Sequence, residues 1–155
     1  MKRLCISLIL SAVFSLSAWC QTATVTALTQ IHTTTVFVEW VADASGDVSV
    51  TIDATTTGLD LTKPLYGLSC VNAETVPGIP APSALYDVVI TDKHGYDIFG
   101  VNLIDRSATI AEVSSPEFVA RTGFIYGGFP IRNTWTVTIS NAGNGGAGLL
   151  EIVFK

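Results

Sequence analysis

Short runs in which apolar and polar residues alternate recur along this chain, and they restrict its fold more than any other feature. Successive side chains of a β-strand point to opposite faces of the sheet, so alternation with period two predicts strands with one buried face. A helical period of 3.6 persists for no more than about two turns anywhere. The predicted inward positions are Ala23, Val25, Ala27, Val36, Val38, Trp40, Val48, Val50, Ile52, Tyr86, Val88, Ile90, Trp135, Val137 and Ile139. The run Leu149 to Phe154 is apolar at every position except Glu151, which predicts a strand covered on both faces.

Turn-forming residues separate these runs. Residues 44–47 link the second run to the third, and residues 92–95 are predicted to close a hairpin into a strand at 96–99. The glycine-rich residues 141–148 are predicted to form a flexible hairpin turn. Residues 72–83 contain three prolines, which donate no backbone hydrogen bond, so a crossing loop is predicted there. Residues 101–112 are expected to form a short helix or an irregular loop.

Seven or eight short strands with one long crossover predict an all-β fold. The expected architecture is an antiparallel two-sheet β-sandwich, immunoglobulin-like or jelly-roll-like, formed by residues 21–155 as a single domain. A hydrophobic content of 48% and a charged content of 14% exclude a disordered chain. With 8 Lys and Arg against 13 Asp and Glu, nucleic acid is not an expected partner.

Residues 1–20 resemble a secretory signal peptide. Lys2 and Arg3 precede an apolar run from Leu4 to Leu16, which is shorter than the roughly 20 residues of a membrane span. Small residues at 18 and 20 predict cleavage between Cys20 and Gln21; lipid attachment at Cys20 and an uncleaved anchor are the alternatives. Cleavage removes two of the eight basic residues and none of the thirteen acidic ones, so the remaining chain has a net charge of −7. The expected location is periplasmic or extracellular, without stable membrane insertion after cleavage.

Cleavage also leaves Cys70 as the sole cysteine, which rules out an internal disulfide. We expect Cys70 to be a small buried apolar residue, and an intermolecular disulfide is the alternative. The core must then stabilise the exported domain without a covalent link.

The sequence contains no arrangement typical of an active site. The turn from Asp92 to Asp97 is interpreted as a turn alone, with a weak cation site as the alternative. His32 and His94 are the only histidines, and no zinc-ligand spacing or Gly-x-Ser-x-Gly elbow is present. A small secreted hydrolase using His94 remains a minor alternative. We therefore predict no catalytic residue, no metal site and no cofactor.

Three aromatic residues flank a glycine pair and form the one candidate interaction surface. Phe124, Tyr126 and Phe129 flank Gly127 and Gly128. Packing in the core is the more common fate of such rings and is the first expectation. The alternative is a protruding aromatic hairpin tip that contacts a partner or another subunit.

The order of landmarks in the second half of the chain supports a family resemblance. These landmarks are Tyr66-Gly67-Leu68, Val76-Pro77-Gly78, the run Leu85 to Asp92, the run His94 to Gly100, Asp105-Arg106-Ser107 and the run Trp135 to Asn144. They resemble small β-sandwich proteins encoded in tailed-phage and prophage structural-gene regions. The resemblance implies a virion-associated structural or interaction role, with no known catalytic residue.

The sequence thus predicts a non-enzymatic structural or assembly protein of phage or virion type, which acts through protein–protein contacts. The alternative is an exported module that binds cell-surface carbohydrate or protein.

Overall fold

The computed structural model describes residues 20–30, 33–52, 69–116 and 134–155. They contain a short 3₁₀ helix, Gly100–Leu103, and eight strands. The strands are β1 (Thr22–Gln30), β2 (Thr33–Val41), β3 (Val48–Ile52), β4 (Cys70–Pro77), β5 (Asp87–Asp92), β6 (Glu112–Ser114), β7 (Trp135–Ser140) and β8 (Ala147–Phe154).

The strands form two antiparallel sheets of unequal width. The larger has the order β1-β2-β8-β4-β6 and the smaller the order β3-β7-β5. This arrangement confirms the predicted all-β, two-sheet antiparallel sandwich.

Side chains from both sheets fill the space between them. Of the predicted inward positions, those on β2, β5 and β7 are fully buried, whereas Ala23, Val25 and Ala27 of β1 and Val50 of β3 are partly buried. Two aromatic contacts join the sheets: the ring centroids of Trp40 and Tyr86 are 5.6 Å apart, and those of Trp135 and Phe154 are 5.7 Å apart. Burial stabilises a fold by roughly 1.5–3 kcal/mol per large apolar side chain, and such pairs add to that.

Three crossings of the chain between the sheets lie at the same end of the sandwich, among them the one from β4 to β5. The other two contact each other there. One of these joins β2 to β3 and the other joins β7 to β8, so the prediction of a hairpin at residues 141–148 is wrong. The two crossings exchange hydrogen bonds: the Ala42 amide donates to the Gly146 carbonyl at 2.8 Å, and the Ala142 amide donates to the Gly46 carbonyl at 2.9 Å. Glycine-rich connections look alike in sequence whether they return the chain to its own sheet or carry it to the other.

The predicted loop at residues 72–83 is also wrong over its first half. Residues 70–77 form β4, which pairs with β8 and β6, and Pro77 is its last residue. The prolines therefore lie at or after the end of the strand, where a missing amide does not interrupt the ladder. A register shift between Cys70 and Asn72 breaks the period of two and hides the strand in the sequence.

The structure also refines or corrects three further predictions about local structure. The turn at residues 92–95 forms, but residues 96–99 contribute one bridge, between Thr91 and Asp97, instead of a strand. Residues 101–112 contain the end of the 3₁₀ helix, an irregular loop and the first residue of β6. In β8 the residues from 149 to 154 alternate between half-buried and buried, so one face is not covered.

Cys70 is a buried apolar residue, as its sequence context predicts. It is 1% exposed, and burial raises the pKa of its thiol to about 12. The thiol is therefore protonated in the folded protein near neutral pH and makes a poor nucleophile.

We expect stability to fall as the pH rises above the ordinary thiol pKa of 9.0, because unfolding then releases a proton that the folded protein retains up to about pH 12. Urea unfolding at pH 8 and pH 10 should show a loss of about 1.4 kcal/mol that is attributable to Cys70. The variant Cys70→Ala, although less stable overall, should lack this part of the pH dependence. An equal loss in the variant would contradict the assignment.

A second prediction concerns the contact between the two crossings. Gly46 has a φ of +88°, and a Cβ atom built on it would lie 2.6 Å from the Gly143 nitrogen. We expect Gly46→Ala to cost roughly 2–5 kcal/mol in urea unfolding, from backbone strain and displacement of the opposing backbone together.

Gly95→Ala is the matched control. Gly95 has a φ of +80°, but nothing lies within 4 Å of the position that a Cβ atom would take, so only backbone strain of roughly 1–2 kcal/mol should remain. Equal losses in the two variants would show that the contact between the crossings contributes nothing.

Candidate interaction surface

The predicted aromatic surface lies outside the described residues. Phe124, Tyr126 and Phe129 all belong to residues 117–133, for which the structure describes nothing, so their role stays a prediction. The predicted signal peptide is likewise not described, except for Cys20, which is exposed and has a free thiol.

The carboxylates of the 92–97 turn are used by the turn itself. Asp92 Oδ1 accepts the amides of His94 at 2.8 Å and Tyr96 at 3.0 Å, and Asp97 Oδ1 accepts the amide of Phe99 at 3.0 Å. In the described part of the chain, no three His, Cys, Asp or Glu side chains are grouped so that they could hold a metal ion. These contacts favour the turn-only interpretation.

A buried arginine joins the two sheets along one margin of the sandwich. The backbone of Arg106 pairs with Tyr86 beside β5, while its side chain reaches the larger sheet. Its Nε donates to Thr75 Oγ1 at 3.0 Å and lies 3.5 Å from Glu112 Oε2, and its Nη1 donates to Ser114 Oγ at 3.0 Å. Arg106 is only 6% exposed, so these partners compensate for its loss of water.

Two polar atoms of this margin have no hydrogen-bond partner among the described residues: the Tyr86 hydroxyl and Arg106 Nη2. Burial raises the pKa of the Tyr86 phenol, while the nearby Thr75 hydroxyl and Arg106 guanidinium oppose that shift. The cluster therefore links the two sheets through the Arg106 side chain. Sequence reasoning did not find it, because Thr75, Arg106 and Ser114 are separated along the chain.

The outer face of the larger sheet is the broadest surface of the described fold. It mixes half-buried or exposed apolar residues with acidic ones, and Glu74 of β4 lies directly opposite Glu151 of β8. Its apolar members, by strand register, are Leu28, Phe37, Val41, Val76, Val113, Leu149 and Val153. Leu28 is 53% and Val113 62% exposed, but they lie on the opposite edge strands β1 and β6 and form no single patch.

A cleft of about 380 Å³ crosses one end of this outer face. The threonines 22 and 24, Glu39, Val76 and Leu149 are among the residues that line it. Trp40 also borders the cleft but is only 3% exposed, so it presents little ring surface for stacking on a sugar.

Three of the four sheet edges are shortened or occupied. Strand β6 has only three residues. At the β5 edge, the Ile90 carbonyl accepts the Ile98 amide at 2.8 Å. At the β3 edge, the side chain of Gln21 lies beside the strand. There the Ser49 amide donates to Gln21 Oε1 at 3.0 Å. Strand β1 has nine residues, and along its outer side the described residues provide no backbone partner.

Comparison with protein-family models gives no match, and comparison with curated proteins gives none either. In the parts of the chain that the structure describes, no helix is long and apolar enough to cross a membrane.

Two substitutions in the buried cluster around Arg106 should differ in their effect on stability. Arg106→Met should lower the free energy of unfolding by roughly 2–4 kcal/mol, because it removes charged hydrogen bonds and leaves their partners buried. Tyr86→Phe removes a hydroxyl that lies near Thr75 without a well-aligned hydrogen bond, and should change stability by no more than about 1 kcal/mol. Urea unfolding of both variants checks this, and a marked loss in Tyr86→Phe would contradict it.

Proposed function

We propose that this chain is a non-enzymatic structural or assembly protein of phage or virion type, acting through protein–protein contacts. The observation that carries the proposal is the uncharged outer edge of β1, which has no backbone partner among the described residues and lies beside the apolar and acidic outer face. The edge strand β6 is short, and the β5 and β3 edges carry a local hydrogen-bond partner. Open edges invite pairing with other chains, and most soluble domains suppress them.

Two further observations support this function. The carboxylates of Asp92 and Asp97, which sequence analysis considered for a cation site, accept local backbone hydrogen bonds. The second half of the chain also carries the landmarks that resemble phage structural-region sandwich proteins, among them the residues that form β5 and β7.

Export is part of the proposal. Gln21 is bonded to β3 through its side chain, and β1 begins at the next residue, so a cut between Cys20 and Gln21 leaves every described strand intact. The intact mass of the exported protein tests this: the mass of residues 21–155 supports cleavage, and an added lipid mass on Cys20 overturns it.

A second candidate function is an exported module that binds cell-surface carbohydrate or protein. The cleft on the outer face favours it, because its threonines and Glu39 offer hydrogen-bonding groups beside apolar side chains. Saturable binding to source cells, lost in Leu149→Arg and retained in the control Thr51→Arg on β3, would support this candidate.

Particle composition tests the leading function directly. Particles released by the source culture are purified on a density gradient, and peptides of this chain are quantified by mass spectrometry in each fraction. We expect the peptides in the particle fraction at many copies per particle. Their amount should exceed that of a soluble exported protein, which serves as the control for carry-over. Peptides found only in the non-particulate exported fraction would overturn the virion role.

A further inference from the structure

The outer edge of β1, which has no backbone partner among the described residues, is long and regular. All nine residues pair with β2 without a register shift, from Thr22 opposite Val41 to Gln30 opposite Thr33. The strand contains no charged residue, no proline and no glycine, which are the usual devices that keep an edge from pairing. Nothing in the described strand therefore opposes a second strand at its open side.

The inner face of β1 is incompletely covered. Its residues Ala23, Val25 and Ala27 pack against the core but are only partly buried, because the smaller sheet ends at β3. The outward residues Thr24 and Thr26 are exposed. A matching strand must offer uncharged residues, with small apolar side chains at every second position on the inner side. The strand β1 of another copy meets both requirements.

We propose that two copies of this chain pair antiparallel along their β1 edges, about a two-fold axis at Val25, and so form one continuous ten-stranded sheet; this rests on the proposed function as an assembly protein. Such an axis, perpendicular to the sheet, keeps inward residues opposite inward residues. It places Val25 opposite itself and Ala23 opposite Ala27 of the other copy, which extends the apolar layer across the interface.

The outer side of this pairing is equally well matched. Thr24 lies opposite Thr26 of the other copy, and threonine pairs and β-branched pairs stabilise neighbouring strands. The nearest acidic residue on the outer face, Glu39, lies one strand inside the edge, opposite Thr24. The chain is net negative, but β1 carries no carboxylate, so the new strand pair brings no like charges together. A basic partner would find no acidic residue on β1 to bind.

Disulfide trapping tests the axis, using the protein of residues 21–155, in which the buried Cys70 is the only native cysteine. Opposite Cα atoms in antiparallel strands are about 4.5–5.5 Å apart, within disulfide range. Val25→Cys should therefore cross-link to a covalent dimer on mild oxidation. Ala23→Cys is the control, because its copies would lie roughly 13 Å apart and should remain monomeric on a denaturing gel.

Charge substitution tests the register without any cross-link. In sedimentation equilibrium the unmodified protein should be a dimer. Thr24→Lys with Thr26→Lys opposes two pairs of like charges and should weaken the dimer about tenfold or more. Thr24→Lys with Thr26→Glu opposes unlike charges and should restore it. The control Ala84→Lys with Thr109→Lys adds the same charge at exposed positions outside β1 and should leave the dimer unchanged.

The outcomes separate this inference from the proposed function. A single-subunit mass at high concentration, or an oligomer that neither cross-links through position 25 nor responds to charge at 24 and 26, overturns β1 pairing. In either case, the particle-composition experiment alone decides whether the chain is associated with particles. Cross-linking by Val25→Cys together with the charge rescue supports β1 pairing even if the chain is absent from particles.

Discussion

Contact between the β2–β3 and β7–β8 crossings is the interaction on which the rest of the sandwich depends. The strands β2 and β8 are neighbours in the larger sheet, and β3 and β7 are neighbours in the smaller one. Each crossing connects one strand of the first pair to one strand of the second, and the amides of Ala42 and Ala142 tie the crossings together. Because a Cβ atom on Gly46 would collide with the backbone of Gly143, the crossings lie too close for a side chain at position 46. This contact sets the sheets in place around the shared core.

The unequal width of the sheets decides what each margin of the sandwich becomes. At the β4–β6 margin the larger sheet extends beyond the smaller one, and Arg106 fills the gap by pairing with Tyr86 and bonding to Thr75 and Ser114. At the opposite margin β1 extends beyond β3, and among the described residues the Gln21 side chain supplies a hydrogen bond between this margin and β3. One margin is closed by a buried network, whereas the other presents an open edge. The proposed contact function follows from this asymmetry.

Sequence patterns predicted the structure well where it depends on residues that are close together in the chain. The alternation through β2, β5 and β7 was sufficient to identify their buried residues, and the context of Cys70 was sufficient to predict its burial. Prediction failed where a pattern has two structural outcomes. A register shift hid β4, and the glycines of residues 141–146 fit a hairpin as well as a crossing. The candidate surface at β1 was not predicted, because an alternating strand reads the same at the centre of a sheet and at its edge.

The sequence by itself determined that the chain forms strands and which side chains of most strands face inward, because the direction of successive side chains is a local property of the extended backbone. Only the tertiary structure decided which strands pair, where the chain changes sheets and which edge stays open. Those outcomes depend on hydrogen bonds between residues far apart in the chain and on the relative widths of two sheets. Neither is encoded in a short pattern, and for this protein they determine the surface available to a partner.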